Sequence, residues 1–146
     1  LGAGGASRAV IAALLSESSE KIIVLNRTIE KAEELKKDYD NKIIVESWKN
    51  INEVAASSSN IINTTSLGMN DETFIAINPK AIPETALVSD LVYTPLETNL
   101  LKIAKVRGSR TVDGLCMLIQ QGIAGFEAWF GQKPLVTEEL RKILIK

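Results

Sequence analysis

The 146-residue chain carries 17 Lys+Arg against 18 Asp+Glu, a formal net charge of −1, and no histidine. That balance excludes a basic tract for nucleic acid. With no apolar run long enough to span a bilayer, a soluble cytoplasmic protein is expected, with neither nucleic acid nor membrane as partner. Without histidine, the commonest general base and metal ligand is missing, so no metal site is expected, and any acid–base group is of another type or lies elsewhere. The single cysteine, Cys116, has no partner for a disulfide or zinc site and reads as a small buried residue. A chain of this length suits one domain, residues 1–146, that buries roughly two thirds of its unfolded surface.

The first residues, Leu1, Gly2, Ala3, Gly4, Gly5, Ala6, Ser7, Arg8 and Ala9, form a glycine-rich turn leading into a helix over 7–16, with Ala9, Val10, Ala13 and Leu14 at helical spacing. Such a turn follows a buried apolar strand of about five residues. Only Leu1 remains of it here, so the chain is expected to be a fragment with unpaired backbone and exposed apolar surface beside its first turn. A strand is expected over 21–26, a helix over 28–37 capped by Thr28, and further strands over 42–46, 60–64, 86–92 and 109–112. The triplet Ser57 to Ser59 reads as a loop, and a helix is expected over 96–106. In the segment 114–130, Leu115, Leu118, Ile119, Ile123, Phe126 and Phe130 make one stripe facing a core, while Gly114, Met117 and Gln121 share a neighbouring face. Pro134 breaks the chain before a last helix with Leu140, Ile143 and Leu144 as its apolar face. Short apolar runs alternating with helical ones specify an α/β domain of Rossmann type, three layers with a mostly parallel sheet whose first strand is truncated.

The glycine turn, and a strand ending about 20 residues later, have the spacing of a dinucleotide-binding unit. NAD-specific proteins place an acid at that strand end to accept from the ribose 2′-hydroxyl, whereas this chain has Asn26, Arg27 and Thr28. Arg27 can hold a 2′-phosphate bidentately and stack on adenine, and Thr28 adds a hydroxyl and a helix-start N–H, so NADP is expected over NAD. The alternative is a solvated Arg27 and a Thr28 that only caps. Thr64, Thr65, Asp90 and Tyr93 fall at carboxyl ends of strands, where ligands sit in open parallel sheets. Arg8 reads as a surface residue.

Three further segments resemble one family. Asn63-Thr64-Thr65-Ser66-Leu67-Gly68-Met69, the run from Asp90 to Thr98 (Asp-Leu-Val-Tyr-Thr-Pro-Leu-Glu-Thr), and the run from Asp113 to Gly122 (Asp-Gly-Leu-Cys-Met-Leu-Ile-Gln-Gln-Gly) are similar to segments of the shikimate dehydrogenases. With the glycine turn and Asn26 to Thr28 the resemblance runs through the whole chain and covers the family's C-terminal NADP-binding domain. Cys116 departs from a small residue such as Gly. The resemblance implies reversible, NADPH-dependent reduction of 3-dehydroshikimate to shikimate in a cleft between two domains. It implies that Gly2, Ala3, Gly4, Gly5 and Ala6 hold the pyrophosphate, and that Asn26, Arg27, Thr28, Ile29, Glu30 and Lys31 surround the 2′-phosphate. Thr64, Leu91 and Gly114 would lie by the nicotinamide, and Tyr93 and Gln121 would reach the substrate. The family's catalytic Lys and Asp belong to the N-terminal substrate domain, so no catalytic residue is expected in this chain and the fragment alone is expected to be inactive. The implied partners are that domain, the small-molecule substrate and a second copy in a homodimer. The competing readings are a quinate/shikimate dehydrogenase, a non-catalytic NADP-binding module, and the NADP domain of a glutamyl-tRNA reductase; Tyr93 and Gln121 argue against the last.

Overall fold

A computed structural model describes residues 1–40, 42–69 and 75–145. Among them the elements run α1 (Gly5–Ser16), β1 (Ile23–Asn26), α2 (Ile29–Lys37), β2 (Ile44–Ser47), α3 (Ile51–Ala56), β3 (Asn60–Asn63), β4 (Leu87–Asp90), α4 (Asn99–Val106), β5 (Arg110–Val112), α5 (Gly114–Phe130) and α6 (Glu138–Leu144). β1 pairs with β2, and β3, β4 and β5 form a second ladder in that order, every pair parallel. In β1, Val24 joins a core cluster with Ile11, Ala32 and Leu35, while the next residue, Leu25, joins one with Ile61, Val88 and Leu101. Successive strand residues point to opposite faces, so the sheet has a core on each side, which makes the domain three-layered.

Leu1 and Gly2 lie between the two ladders. The Gly2 amide donates to Leu25 O (2.8 Å), the Leu1 amine to Ile62 O (2.6 Å), and the Thr64 amide to Leu1 O (2.8 Å). Leu1 and Gly2 thus bridge β1 and β3. Behind Leu1 is a cleft of about 430 Å³, walled by Val10, Ile11 and Leu14 of α1 and by residues of β1 and β3 such as Val24 and Ile62.

The expected strands and main helices are all present; most ends are trimmed by one to three residues, but α1 begins two residues earlier than expected, β2 runs one residue further and α5 matches its expected span. The helix expected from Leu96 starts at Asn99, because the Thr98 hydroxyl takes the N-cap by accepting from the Leu101 amide. Helix α3 was not expected: its apolar positions, Ile51, Val54 and Ala55, span under two turns, too few for periodicity to register. On α1 the buried residues are Ser7 and Ile11, not Ala9 and Ala13, because Ser7 is tied by hydrogen bonds that a hydrophobic pattern does not reveal. Cys116 is exposed, contrary to the expected burial, since it lies on the solvent side of α5. The α5 stripe also departs from expectation. Leu115 and Ile119 are buried, but Phe126 is 41% and Phe130 64% exposed, and no described residue of α6 is buried. Periodicity identifies an apolar face but not what covers it. Among the described residues no helix is long and apolar enough to cross a membrane.

Candidate functional site

The glycines of the turn serve two different purposes. Gly2 has φ +105°, and a Cβ there would sit 2.7 Å from Thr64 Oγ1 and 2.9 Å from Thr65 Cγ2, so the fold itself demands glycine. A Cβ on Gly4 or Gly5 would meet nothing within 4 Å. Packing does not require glycine there, and the space above the first turn of α1 is open. Gly4 is the N-cap of that helix, and no side chain caps it, so the first-turn N–H groups face the opening as an anion-binding end.

This opening is one side of a cavity of about 320 Å³. Gly2, Ala3 and Gly4 form its floor, Asn26, Arg27, Thr28 and Lys31 one wall, and Trp48, Thr64, Thr65 and Ser66 the rest. The lining holds two cationic side chains, Arg27 and Lys31, and no carboxylate. Such a cavity favours an anion bearing more than one phosphate. Asn26 Nδ2 donates to Thr28 O (2.7 Å), shaping the bend from β1 into α2. Thr28 occupies the N-cap of α2, but its hydroxyl makes no capping bond, which corrects the capping role expected for it; the residue lines the cavity. Arg8 turns away from the cavity to pair with Asp38.

Asn63 and Asp90 tie the next two loops together. Asn63 Nδ2 donates to Asp90 Oδ1 (2.8 Å) and Leu67 O (3.1 Å), while its Oδ1 accepts from the Thr65 amide (3.0 Å) and hydroxyl (2.7 Å). Asp90 Oδ1 also accepts from the Val92 amide (3.0 Å), and Oδ2 from the Thr98 hydroxyl (2.7 Å). Burial pushes the Asp90 carboxyl above its ordinary value; the hydrogen bonds from Thr98, Val92 and Asn63 and the charge of the Leu1 amine pull against it. Asn63, Asp90 and Thr98 are each buried.

Beyond Asp90, the segment 91–92 meets the start of α5. A Cβ on Gly114 would come within 2.4 Å of Leu91 O and 2.5 Å of Val92 O, so glycine lets the helix abut this backbone. Asp113 caps α5 by accepting from the Cys116 amide (3.1 Å), and Arg141 of α6 donates to its other oxygen (2.6 Å). Tyr93 is 48% exposed, and Gln121, two turns along α5 on the face that Gly114 begins, is exposed.

The structure therefore brings Gly2, Ala3, Gly4, Asn26, Arg27, Thr28, Lys31 and Thr64 to one cavity. Gly5 and Ala6 open α1, and Ile29 and Glu30 open α2, adjoining that cavity without lining it. Leu91 and Gly114 approach each other outside its lining, and Tyr93 and Gln121 also lie outside it. Sequence reasoning missed Trp48 and Ser66 as lining residues. For Trp48 the available signal was its place one residue past a strand at the sheet's carboxyl edge.

The family model described as shikimate/quinate 5-dehydrogenase matches residues 1–76. The chain belongs to this family. A shikimate dehydrogenase (NADP(+)) of Rhodopseudomonas palustris (strain TIE-1) is 46% identical over 144 residues, 99% of this chain and 52% of that protein. The quinate dehydrogenase of Corynebacterium glutamicum, solved in complex with NAD, superposes with TM-score 0.88 at 29% identity, covering 98% of this chain and 52% of that one. The Thermus thermophilus shikimate 5-dehydrogenase, solved with NADP(H) and shikimate, gives TM-score 0.78 at 34% identity, covering 92% of this chain and 49% of that one. The chain thus spans about half the length of the shikimate/quinate dehydrogenases it matches.

Gly2→Ala is expected to lower stability by about 2 kcal/mol in urea unfolding, through strain at positive φ and the clash with Thr64, whereas Gly4→Ala leaves stability within about 1 kcal/mol. Equal effects would contradict the division between fold glycine and site glycine. Asp90→Ala strands three donors and is expected to cost about 3 kcal/mol. Asp90→Asn tests the buried charge. A carboxyl whose folded pKa is raised costs nothing below its unfolded value of 3.8 and costs progressively more above it, so the variant gains on the parent chain as pH rises from about 4. A stability difference that is flat with pH would show the carboxylate to be fully compensated.

Proposed function

We propose that the cavity binds NADP(H) and that the chain is the cofactor-binding half of an NADP-dependent shikimate dehydrogenase, an enzyme of the cytoplasm. The reaction is the reversible reduction of 3-dehydroshikimate to shikimate. The observation that carries this reading is a glycine-floored cavity at a helix N-terminus whose wall presents Arg27 and Lys31 and no carboxylate. An acid at the end of β1 would repel a 2′-phosphate; Arg27 attracts one. The NADP(+)-dependent relative and the Thermus structure holding NADP(H) and shikimate support the same reading.

In this reading the bound dinucleotide supplies a hydride, and the chain's residues hold and orient. Gly2 gives its amide to Leu25 O and underlies the turn, the N–H groups from Ala3 to Ala6 face the pyrophosphate, and Asn26 to Lys31 enclose the adenosine 2′-phosphate, with Arg27 and Lys31 as the charges. Thr64, Leu91 and Gly114 border the nicotinamide. Gly114, by lacking a side chain, brings the start of α5 against the Leu91–Val92 backbone at that point. Tyr93 and Gln121 offer polar tips to a polyhydroxylated acid. The proton-transfer groups belong to a separate substrate domain, the main partner, seated against the exposed face of α5; a second copy completes a homodimer. A second reading, oxidation of quinate as well as shikimate, is favoured by the superposition of the quinate dehydrogenase at TM-score 0.88.

Titration calorimetry tests the cofactor. NADP⁺ is expected to bind at least tenfold more tightly than NAD⁺, and Arg27→Ala to remove about that factor for NADP⁺ while leaving NAD⁺ unchanged, the loss of one charge-assisted phosphate contact. Equal affinities would refute the assignment. In the enzyme joined to its substrate domain, Gln121→Ala is expected to raise the KM for shikimate about tenfold with the KM for NADP⁺ unaltered, consistent with one lost hydrogen bond to substrate. An unchanged KM for shikimate would remove Gln121 from the site.

A further inference from the structure

Trp48 has no part in the reading above, yet it faces the same cavity. The parallel register pairs Asn26 of β1 with Ser47 of β2. Arg27 and Trp48, the next residue on each strand, therefore leave the sheet side by side at its carboxyl edge. The chain does not run on freely there. It enters a short 3₁₀ turn, Trp48–Asn50, whose N-cap is Ser47, the hydroxyl accepting from the Lys49 amide at 3.3 Å. Trp48 is half-buried and packs against the core cluster that contains Leu25 and Ile51, so part of the indole is anchored and part borders the cavity. It is the only aromatic residue among those lining the cavity.

The other walls are polar or charged: the backbone of the glycine turn, the hydroxyls of Thr64, Thr65 and Ser66, and the cations Arg27 and Lys31. These suit phosphates and ribose. A flat heteroaromatic base needs an apolar plane, and the indole is the one such surface available. Its place beside Arg27 puts that plane next to the group suited to the 2′-phosphate, which is carried on the ribose of the same nucleoside.

We infer that Trp48 is the adenine-binding wall of the site, stacking its indole on the purine while Arg27 takes the adjacent phosphate. The inference rests on the reading of the cavity as a dinucleotide site, and it adds a binding residue to it. Anchoring by the core and by the Ser47-capped turn holds the ring in place before ligand arrives, which limits the ordering cost of binding.

Calorimetry with two probes tests this: adenosine 2′,5′-bisphosphate, which carries the adenine, and NADP⁺. Trp48→Leu keeps apolar packing but has no ring, and is expected to weaken both ligands about tenfold. Trp48→Phe keeps a ring and is expected to recover most of that loss, which a merely structural role would not require. Ligand-induced quenching of tryptophan emission is expected in the parent protein and largely lost in Trp48→Phe, so the spectroscopic arm stands even where Trp48→Leu fails to fold. A folded Trp48→Leu variant with unchanged affinity, or quenching that survives in Trp48→Phe, would overturn the inference while leaving the dinucleotide reading intact. Absence of binding by the folded parent protein to either probe would instead overturn that reading, and this inference with it.

Discussion

Two residues, Leu1 and Gly2, join the β1–β2 ladder to the β3–β4–β5 ladder through hydrogen bonds to Leu25, Ile62 and Thr64. The position of the candidate site depends on that stitch. It brings the carboxyl ends of β1 and β3 to either side of one turn, and the turn can pass between them only because Gly2 has no side chain to strike Thr64. The hydroxyls reinforce it: Thr64 Oγ1 donates to Leu1 O at 2.7 Å and Ser7 Oγ to Gly2 O at 2.6 Å, the two hydroxyl oxygens lying 2.8 Å apart. A small polar cluster, in place of apolar packing, thereby fixes where α1 begins and where its N–H groups face.

From there the order passes laterally. Thr65 is held by Asn63, Asn63 by Asp90, and Asp90 holds the Val92 amide and the Thr98 hydroxyl. Val92 and Leu91 in turn meet Gly114 at the start of α5, whose cap Asp113 is held by Arg141 of α6. Each link is a satisfied hydrogen bond or a close backbone approach, so the loops at the sheet's carboxyl edge form a connected set. No buried side-chain polar atom among the described residues lacks a partner, so the network can rigidify these loops even though burying the Asp90 carboxyl carries a cost.

The strands were legible because each is a β-branched run between turn residues, and the site was legible where chemistry is tied to spacing: the glycine turn, the basic end of β1, the small polar residues after β3. What escaped shares a different property. Helix α3 and the Trp48 turn each span under two turns, too few for periodicity to register, and the importance of Trp48 lies in following Ser47, the residue paired with Asn26, a relation between strands that a single segment does not contain. Ser7 was read as a helix start although it is buried, because its burial is secured by a partner 57 residues away in sequence, Thr64. The exposed Phe126 and Phe130 failed in the opposite sense: periodicity correctly gave an apolar face, but none of the described residues covers it.

Asp90 presents the features by which a catalytic carboxyl is often sought, since it is buried, its pKa is raised, and it ends a strand at the edge where ligands bind. The geometry assigns it otherwise. Oδ1 accepts from Asn63 and Val92, and Oδ2 from Thr98, all donors of the protein's own framework. A general base must reach the proton it removes, and a carboxylate enclosed by three internal donors and 1% exposed reaches none. Its work is to hold the segment carrying Tyr93 in register with the loop carrying Thr65. With the one buried carboxylate among the described residues occupied in this way, the side chains left facing the cavity are hydroxyls, an amide, an indole and two cations, a set suited to holding an anionic ligand.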